Sequence, residues 1–276
     1  MNSVVSFIKS RPGFLRFARG TRFWATTLGL DIVRLTALVA VPAVVREYFA
    51  LKRQNSRSAH PWRLSFSMPF FHDRFEESGV VSGHYFHQDL LVARRIFERK
   101  PAKHVDVASR VETFVAHVAA FRQIEVFDIR PLSARIPNIS FTQCDFMNLP
   151  PEMNGYSDSV SCLHALEHFG LGRYCDPIDI DGHLKGFDSL YKTLVSGGIL
   201  YLSFPIGEIE RIEFNAHRVF SIQTVLGWAK DRFELIGFSY VDDAGNLHEN
   251  IPLSEVDAAS SYHLKYGCGI FEMKKL

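Results

Sequence analysis

From residue 101 onward the chain sets short apolar runs against longer amphipathic stretches. Residues 104–108 (HVDVA), 124–129 (IEVFDI), 139–144 (ISFTQC), 159–163 (SVSCL), 199–204 (ILYLSF), 233–241 and 268–273 are rich in β-branched and aromatic side chains. They predict strands. Between them, residues 112–121, 184–194 and 221–230 place apolar side chains at helical spacing, the second stretch being stopped by Ser196, Gly197 and Gly198. Upstream, Phe86, Leu90, Leu91, Ala93, Ile96 and Phe97 predict a helix from Tyr85 that Pro101 ends. Strands separated by helices imply parallel β-α-β units with right-handed crossovers. The expected body is an α/β domain over residues 61–276, built on a doubly wound, mostly parallel, Rossmann-like sheet. Such a sheet binds its ligand at the carboxyl ends of its strands.

Residues 1–60 follow another pattern. Phe7, Phe14, Leu15, Phe17, Phe23 and Trp24 alternate with Lys9, Arg11, Arg16, Arg19 and Arg22. The whole chain has a formal charge of +1, yet residues 1–60 hold ten basic and two acidic side chains, a net of +8. The other 216 residues therefore carry −7. This segment predicts a basic, aromatic-rich helical arm, joined to the body through the polar stretch at residues 53–58 (RQNSRS). Two readings stay open for it: an arm packed on protein, or a peripheral contact with an anionic membrane surface. The longest apolar run, residues 35–45, is far shorter than the about 20 residues of a spanning helix. The four cysteines are scattered without a C-x-x-C pair, which argues against a disulfide framework or zinc ribbon and suits a reducing, cytoplasmic setting. The charge balance gives no sign of a nucleic-acid partner, and the oligomeric state stays open.

Candidate chemistry collects at the predicted strand ends. Asp106 lies in the first strand, Asp128 ends the second, Asp145 follows the third, and His164, Glu167 and His168 follow the fourth. In a doubly wound sheet these positions share one rim. An acid about 20 residues after the first turn can accept hydrogen bonds from a ribose.

With these residues in order, residues 84–275 resemble the class I S-adenosylmethionine-dependent methyltransferases. The resemblance implies that Asp106, Ala108, Ser109 and Arg110 form the first cofactor turn. It further implies that Asp128 holds the ribose and that Asp145 and Phe146 meet the adenine, with S-adenosylmethionine as cofactor. Leu166-Glu167-His168 and the SGGIL of residues 196–200 also look like that family. More narrowly, HVDVASR, FDIRPL, LHALEHFGLGRY and FNAHRVF are similar to the domain-of-unknown-function family DUF268. In one respect the sequence departs from the methyltransferase pattern: the usual glycine-rich first turn reads D-V-A-S-R-V-E, with no glycine between Asp106 and Gly155.

A methyltransferase needs alignment and, for a hydroxyl acceptor, a base. His164 and His168 are the candidate bases, with Glu167 orienting one of them or serving in their place. The polar loop that follows offers Arg173, Tyr174 and Asp176, and Asn215, His217 and Arg218 follow the fifth strand; all six are expected to bind the acceptor. The expected reaction is O-methylation of a sugar or other small polar acceptor in glycan biosynthesis, at or near the inner face of a membrane. One alternative is a methyltransferase-fold binding or scaffold protein without cofactor. A remote one reads H-A-L-E-H as the His-x-x-Glu-His zinc motif of a hydrolase, which needs both histidines on one helix face. No metal ligand is assigned; a divalent cation on Glu167, His168 and a loop aspartate is a secondary reading.

Overall fold

The computed structural model describes residues 36–276 apart from 72, 76, 77 and 80. The chain divides into two compact units, Met1–Val80 and Val81–Leu276. The polar stretch at 53–58, expected to join arm and body, begins inside helix α1 (Val41–Asn55) and continues past its end. Pro42 stands at its first turn, where a missing N–H costs nothing, and Phe49, Leu51, Lys52 and Arg53 are exposed along it. The expected arm of residues 7–24 lies outside the described residues. Among the described residues, no helix is long and apolar enough to cross a membrane.

The second unit opens with α2 (His84–Arg99), whose C-terminus is closed by Lys100 in a left-handed conformation, φ 50°, just before Pro101. Its buried stripe is Leu91, Val92, Ala93 and Ile96, together with Gln88 and Asp89. Phe86, Leu90 and Phe97, which share the helical spacing, are exposed. The strands follow as β1 (His104–Val107), β2 (Ile124–Asp128), β3 (Ile139–Gln143), β4 (Ser157–Leu163) and β5 (Leu194–Ile206). Then come a hairpin of β6 (Arg211–Glu213) and β7 (His217–Val219), and β8 (Phe233–Val241), β9 (Leu247–His248) and β10 (Gly267–Lys275). Helices α4 (Gly182–Thr193), α5 (Ile222–Ala229) and α6 (Glu255–Ser260) intervene. The expected helix at 112–121 is instead a wide π turn, Val111–Val115, running into the short α3 (Ala116–Ala119).

The main sheet has the order β3-β2-β1-β4-β5-β10-β8-β9. β1 through β5 run parallel, and β10 is inserted antiparallel to both its neighbours. The doubly wound, mostly parallel, Rossmann-like sheet is therefore the observed one. Side chains alternate across it. Val105, Val107, Cys162, Leu200 and Leu202 belong to the core shared with α4 and α5, whereas Val126, Leu163, Tyr201 and Ile270 join α2 and α3 on the other face. Ser196, Gly197 and Gly198 do not stop α4, which ends earlier; they form the irregular first part of β5, opposite a register shift in β4.

The chain winds outward from β1 to β3 and then returns to place β4 on β1's other side. That reversal leaves a crevice at the carboxyl ends of β1 and β4, the topological switch point where this architecture takes ligands.

Candidate functional site

A cavity of about 580 Å³ opens at this switch point, inside the range of roughly 300–1,000 Å³ usual for small-molecule sites. Each strand end contributes to it through a different local device.

At the end of β1, Ala108 takes φ 57°, the left-handed conformation that glycine adopts most readily, and its N–H donates to Phe127 O at 2.8 Å. The turn expected from a glycine-rich sequence is thus made with alanine. Beneath it, Asp106 is fully buried: its carboxylate accepts from Ser109 N at 3.0 Å, Ser109 Oγ at 2.6 Å and Ser161 Oγ at 2.6 Å. Ser109 Oγ in turn accepts from Leu163 N. Burial pushes the Asp106 carboxyl up to about 7 against these hydrogen bonds. Asp106 and Ser109 therefore do not line the cavity as expected; they bind the first turn to β4. Ala108→Gly is expected to leave stability unchanged within about 1 kcal/mol, because relief of the left-handed strain offsets the added freedom of the unfolded chain. Ala108→Val should cost more than that. Urea unfolding of the two variants measures both.

At the end of β2, Asp128 is almost buried and held by Arg130, whose Nε lies 3.0 Å from Oδ1 and whose Nη2 lies 2.5 Å from Oδ2. The guanidinium also lies 4.5 Å over the Tyr174 ring. After β3, Asp145 accepts from Met147 N and Asn148 Nδ2, forming the turn that buries Phe146 against Phe127. Arg110 lines the cavity too, but ion-pairs with Glu112 and faces the Tyr85 ring at 5.1 Å.

After β4 the chain bends at His164, φ 49°, into a 3₁₀ turn over Leu166–His168. Glu167 is fully buried and accepts from His164 Nδ1 at 2.9 Å; its Oε1 lies 3.6 Å from His168 Nε2. Although burial opposes ionisation, the two histidines hold the Glu167 carboxyl below its ordinary range. Burial alone would lower His164, but Cys268 and Glu167 outweigh it and hold the imidazole well above the usual range. In His168 burial wins and the pKa falls. His168 Nδ1 meets the Ala216 carbonyl at 2.6 Å, which places the proton of the neutral ring on Nδ1 and the lone pair on Nε2. The two histidines do not share a helix face, so the His-x-x-Glu-His zinc geometry is absent.

The loop after the turn is organised by Asp176, which accepts from the N–H groups of Gly170, Gly172 and Tyr174. Its carboxylate is thus committed to the loop backbone and differs from the acceptor-binding role expected of it. Arg173 and Tyr174 line the cavity, Arg173 anchored on Ala216 O and Tyr174 edge-on to His168. Asn215, His217 and Arg218 do not line it. Asn215 is exposed at the hairpin, and His217 packs on Tyr266. Arg218 is buried, donating to the carbonyls of Glu167 (3.2 Å), Phe169 (2.7 Å), Asp179 (3.4 Å) and Ile180 (3.1 Å). It is a staple between two loops rather than a ligand group. Tyr85, Phe127 and Arg130 are lining residues that sequence reasoning did not single out. Phe127 and Arg130 flank Asp128, so inspection of its neighbours could have found them. Tyr85 comes from a distant helix with no signal of its own.

The family described as "Caenorhabditis protein of unknown function, DUF268" matches residues 116–259. No curated protein matches the chain. Similar solved structures include the N-methyltransferase NodS from Bradyrhizobium japonicum WM9 in complex with S-adenosyl-L-homocysteine. It is 15% identical, with 83% of this chain and 97% of that one covered and a TM-score of 0.45. A second is the Burkholderia thailandensis 1,6-didemethyltoxoflavin-N1-methyltransferase, at 11% identity, 85% and 88% coverage and a TM-score of 0.47. A third is the [4+2]-cyclase SpnF, at 14% identity, 86% and 96% coverage and a TM-score of 0.46.

Proposed function

Because the chain belongs to the DUF268 family, whose description carries no activity, we propose a function from the cavity itself: S-adenosylmethionine-dependent methyl transfer to a hydroxyl of a small polar acceptor, a sugar or glycan precursor. The carrying observation is convergence. Asp128, Asp145 with Phe146, Ala108 and His168 come from the ends of four different strands and border one space of suitable size. Their chemistry fits the cofactor: a carboxylate for ribose hydroxyls, an aromatic pair beside an acid for adenine, and a small left-handed residue where the backbone must come close. S-adenosylmethionine, when bound, supplies an already activated methyl group. The chain's own residues then have to orient the acceptor and hold its proton. His168 Nε2 is the lone pair suited to that proton, and Arg173 and Tyr174 supply polar contacts beside it. The basic α1 with its exposed Phe49 and Leu51 supports attachment of the protein to a membrane surface.

The closed Asp128–Arg130 pair favours a second reading, a binding module without cofactor, because the guanidinium already occupies the carboxylate. Calorimetric titration with S-adenosylhomocysteine separates the two. Asp128→Ala should weaken binding by about 10- to 100-fold, the worth of charge-assisted hydrogen bonds. Arg130→Ala frees the carboxylate and should leave affinity equal or tighter. Unchanged affinity in Asp128→Ala would remove the ribose assignment. Absence of binding in wild type and in Arg130→Ala alike would favour the binding module.

A further inference from the structure

Behind the His164–Glu167 pair lies a cluster that the proposed reaction does not use. One ligand atom from each of His84, His164 and Cys268 lies within 4.8 Å of the other two. His84 is the first residue of α2, His164 directly follows β4, and Cys268 is the second residue of β10. His164 is only 8% exposed and Cys268 is 0% exposed, while His84 is half-buried. The His84 and His164 rings face one another at 5.1 Å.

Two further observations point to a ligand. His164 Nε2 is a buried polar atom with no hydrogen-bond partner, although the other nitrogen of the same ring is held by Glu167 at 2.9 Å. A buried nitrogen left in that state is costly unless something accepts its lone pair or proton. The surroundings also have the form of a metal site's outer shell. Ligating histidines are ordinarily fixed by a carboxylate or carbonyl on the far nitrogen. Here Glu167 does this for His164, through Nδ1.

We propose that His84, His164 and Cys268 bind a divalent transition ion of the zinc class, through two imidazole nitrogens and one thiolate. Imidazole and thiolate together suit zinc better than magnesium or calcium, which take oxygen ligands. Three protein ligands leave one of zinc's four positions to water or to an acceptor hydroxyl. Since His164 also lines the cavity, the ion would stand at its edge. Binding displaces two protons to solvent, one from the Cys268 thiol and one from His164 Nε2, since the ion takes the place of both. The site does not depend on the cofactor reading.

The test is metal analysis of the full-length protein after dialysis, followed by cobalt substitution. The expected result is one zinc per chain, and in the cobalt form a thiolate-to-cobalt charge-transfer band. Both should be lost in Cys268→Ser and in His84→Ala, the latter being a helix-terminal change that leaves the buried core untouched. Glu167→Gln should retain the band while weakening zinc 10- to 100-fold in chelator competition. His168→Ala should keep full metal content. Failure to take up a stoichiometric ion, or retention of it with an unaltered band in both ligand variants, would overturn the proposal. Neither result bears on S-adenosylhomocysteine binding, which is measured separately.

Discussion

Arg218→Ala is expected to destabilise the α/β unit by about 3–5 kcal/mol. The guanidinium is 3% exposed and reaches four backbone carbonyls, two on the turn after β4 and two on the loop before α4. Hydrogen bonds to a charged donor contribute about 1.5–3 kcal/mol each, and the shortest of these carry most of the total. Truncation to alanine removes them and leaves the Glu167 and Phe169 carbonyls without the side-chain donor that ties them to the second loop. Lysine is a compact point charge and cannot span both loops, so Arg218→Lys should recover less than half of the loss. Chemical denaturation measures both variants. A change below about 1 kcal/mol in the alanine variant would mean that the two loops hold themselves in place.

The second large effect falls on the reaction. His168→Ala should lower kcat by about 10²- to 10⁴-fold, the usual worth of a positioned general base, while leaving S-adenosylhomocysteine affinity unchanged. The sign of the pH dependence follows from the environment of the ring. Burial lowers the His168 pKa below its ordinary 6.5, so the neutral base persists at neutral and mildly acidic pH. The wild-type rate should therefore stay level through neutrality and fall only as the pH drops below 6.5. The alanine variant should lack that acidic limb. A variant with full activity, or one with the same limb, would move the base elsewhere.

Much of the fold was legible because its signals are local. The runs that end in Leu163 and Val241 are strands with those same last residues, and the run expected over 124–129 ends one residue earlier, at Asp128, because β-branched and aromatic side chains suit the pleated sheet. The small hairpin of β6 and β7 and the two-residue β9 escaped notice, because strands of two or three residues have too few positions for a period. At the site, the acids were legible as strand ends, but their partners were not. Asp106 reads like a ligand group and is a buried fastening, because Ser109 and Ser161 face it across β1 and β4. Arg218 likewise spends its donors on backbone carbonyls that come close only in the folded chain. The H-A-L-E-H spacing suggested a metal site, yet that inference assumes a helix, and the left-handed bend at His164 with a 3₁₀ turn prevents one. The cluster that does suit a metal joins residues 80 and 104 positions apart, beyond any motif.

The missing glycines were the sharpest objection to a cofactor, and Ala108 answers part of it by adopting the conformation that glycine would have supplied. Arg130 is the remaining obstacle, since it must yield or share Asp128 with a ribose. A crystal structure of the protein grown with S-adenosylhomocysteine addresses this directly. It should show the ligand in the cavity between β1 and β4, with ribose hydroxyls on Asp128 and adenine beside Phe146. Saturating ligand that leaves the cavity empty, or that binds with the Asp128–Arg130 pair intact and the ribose elsewhere, would contradict the account.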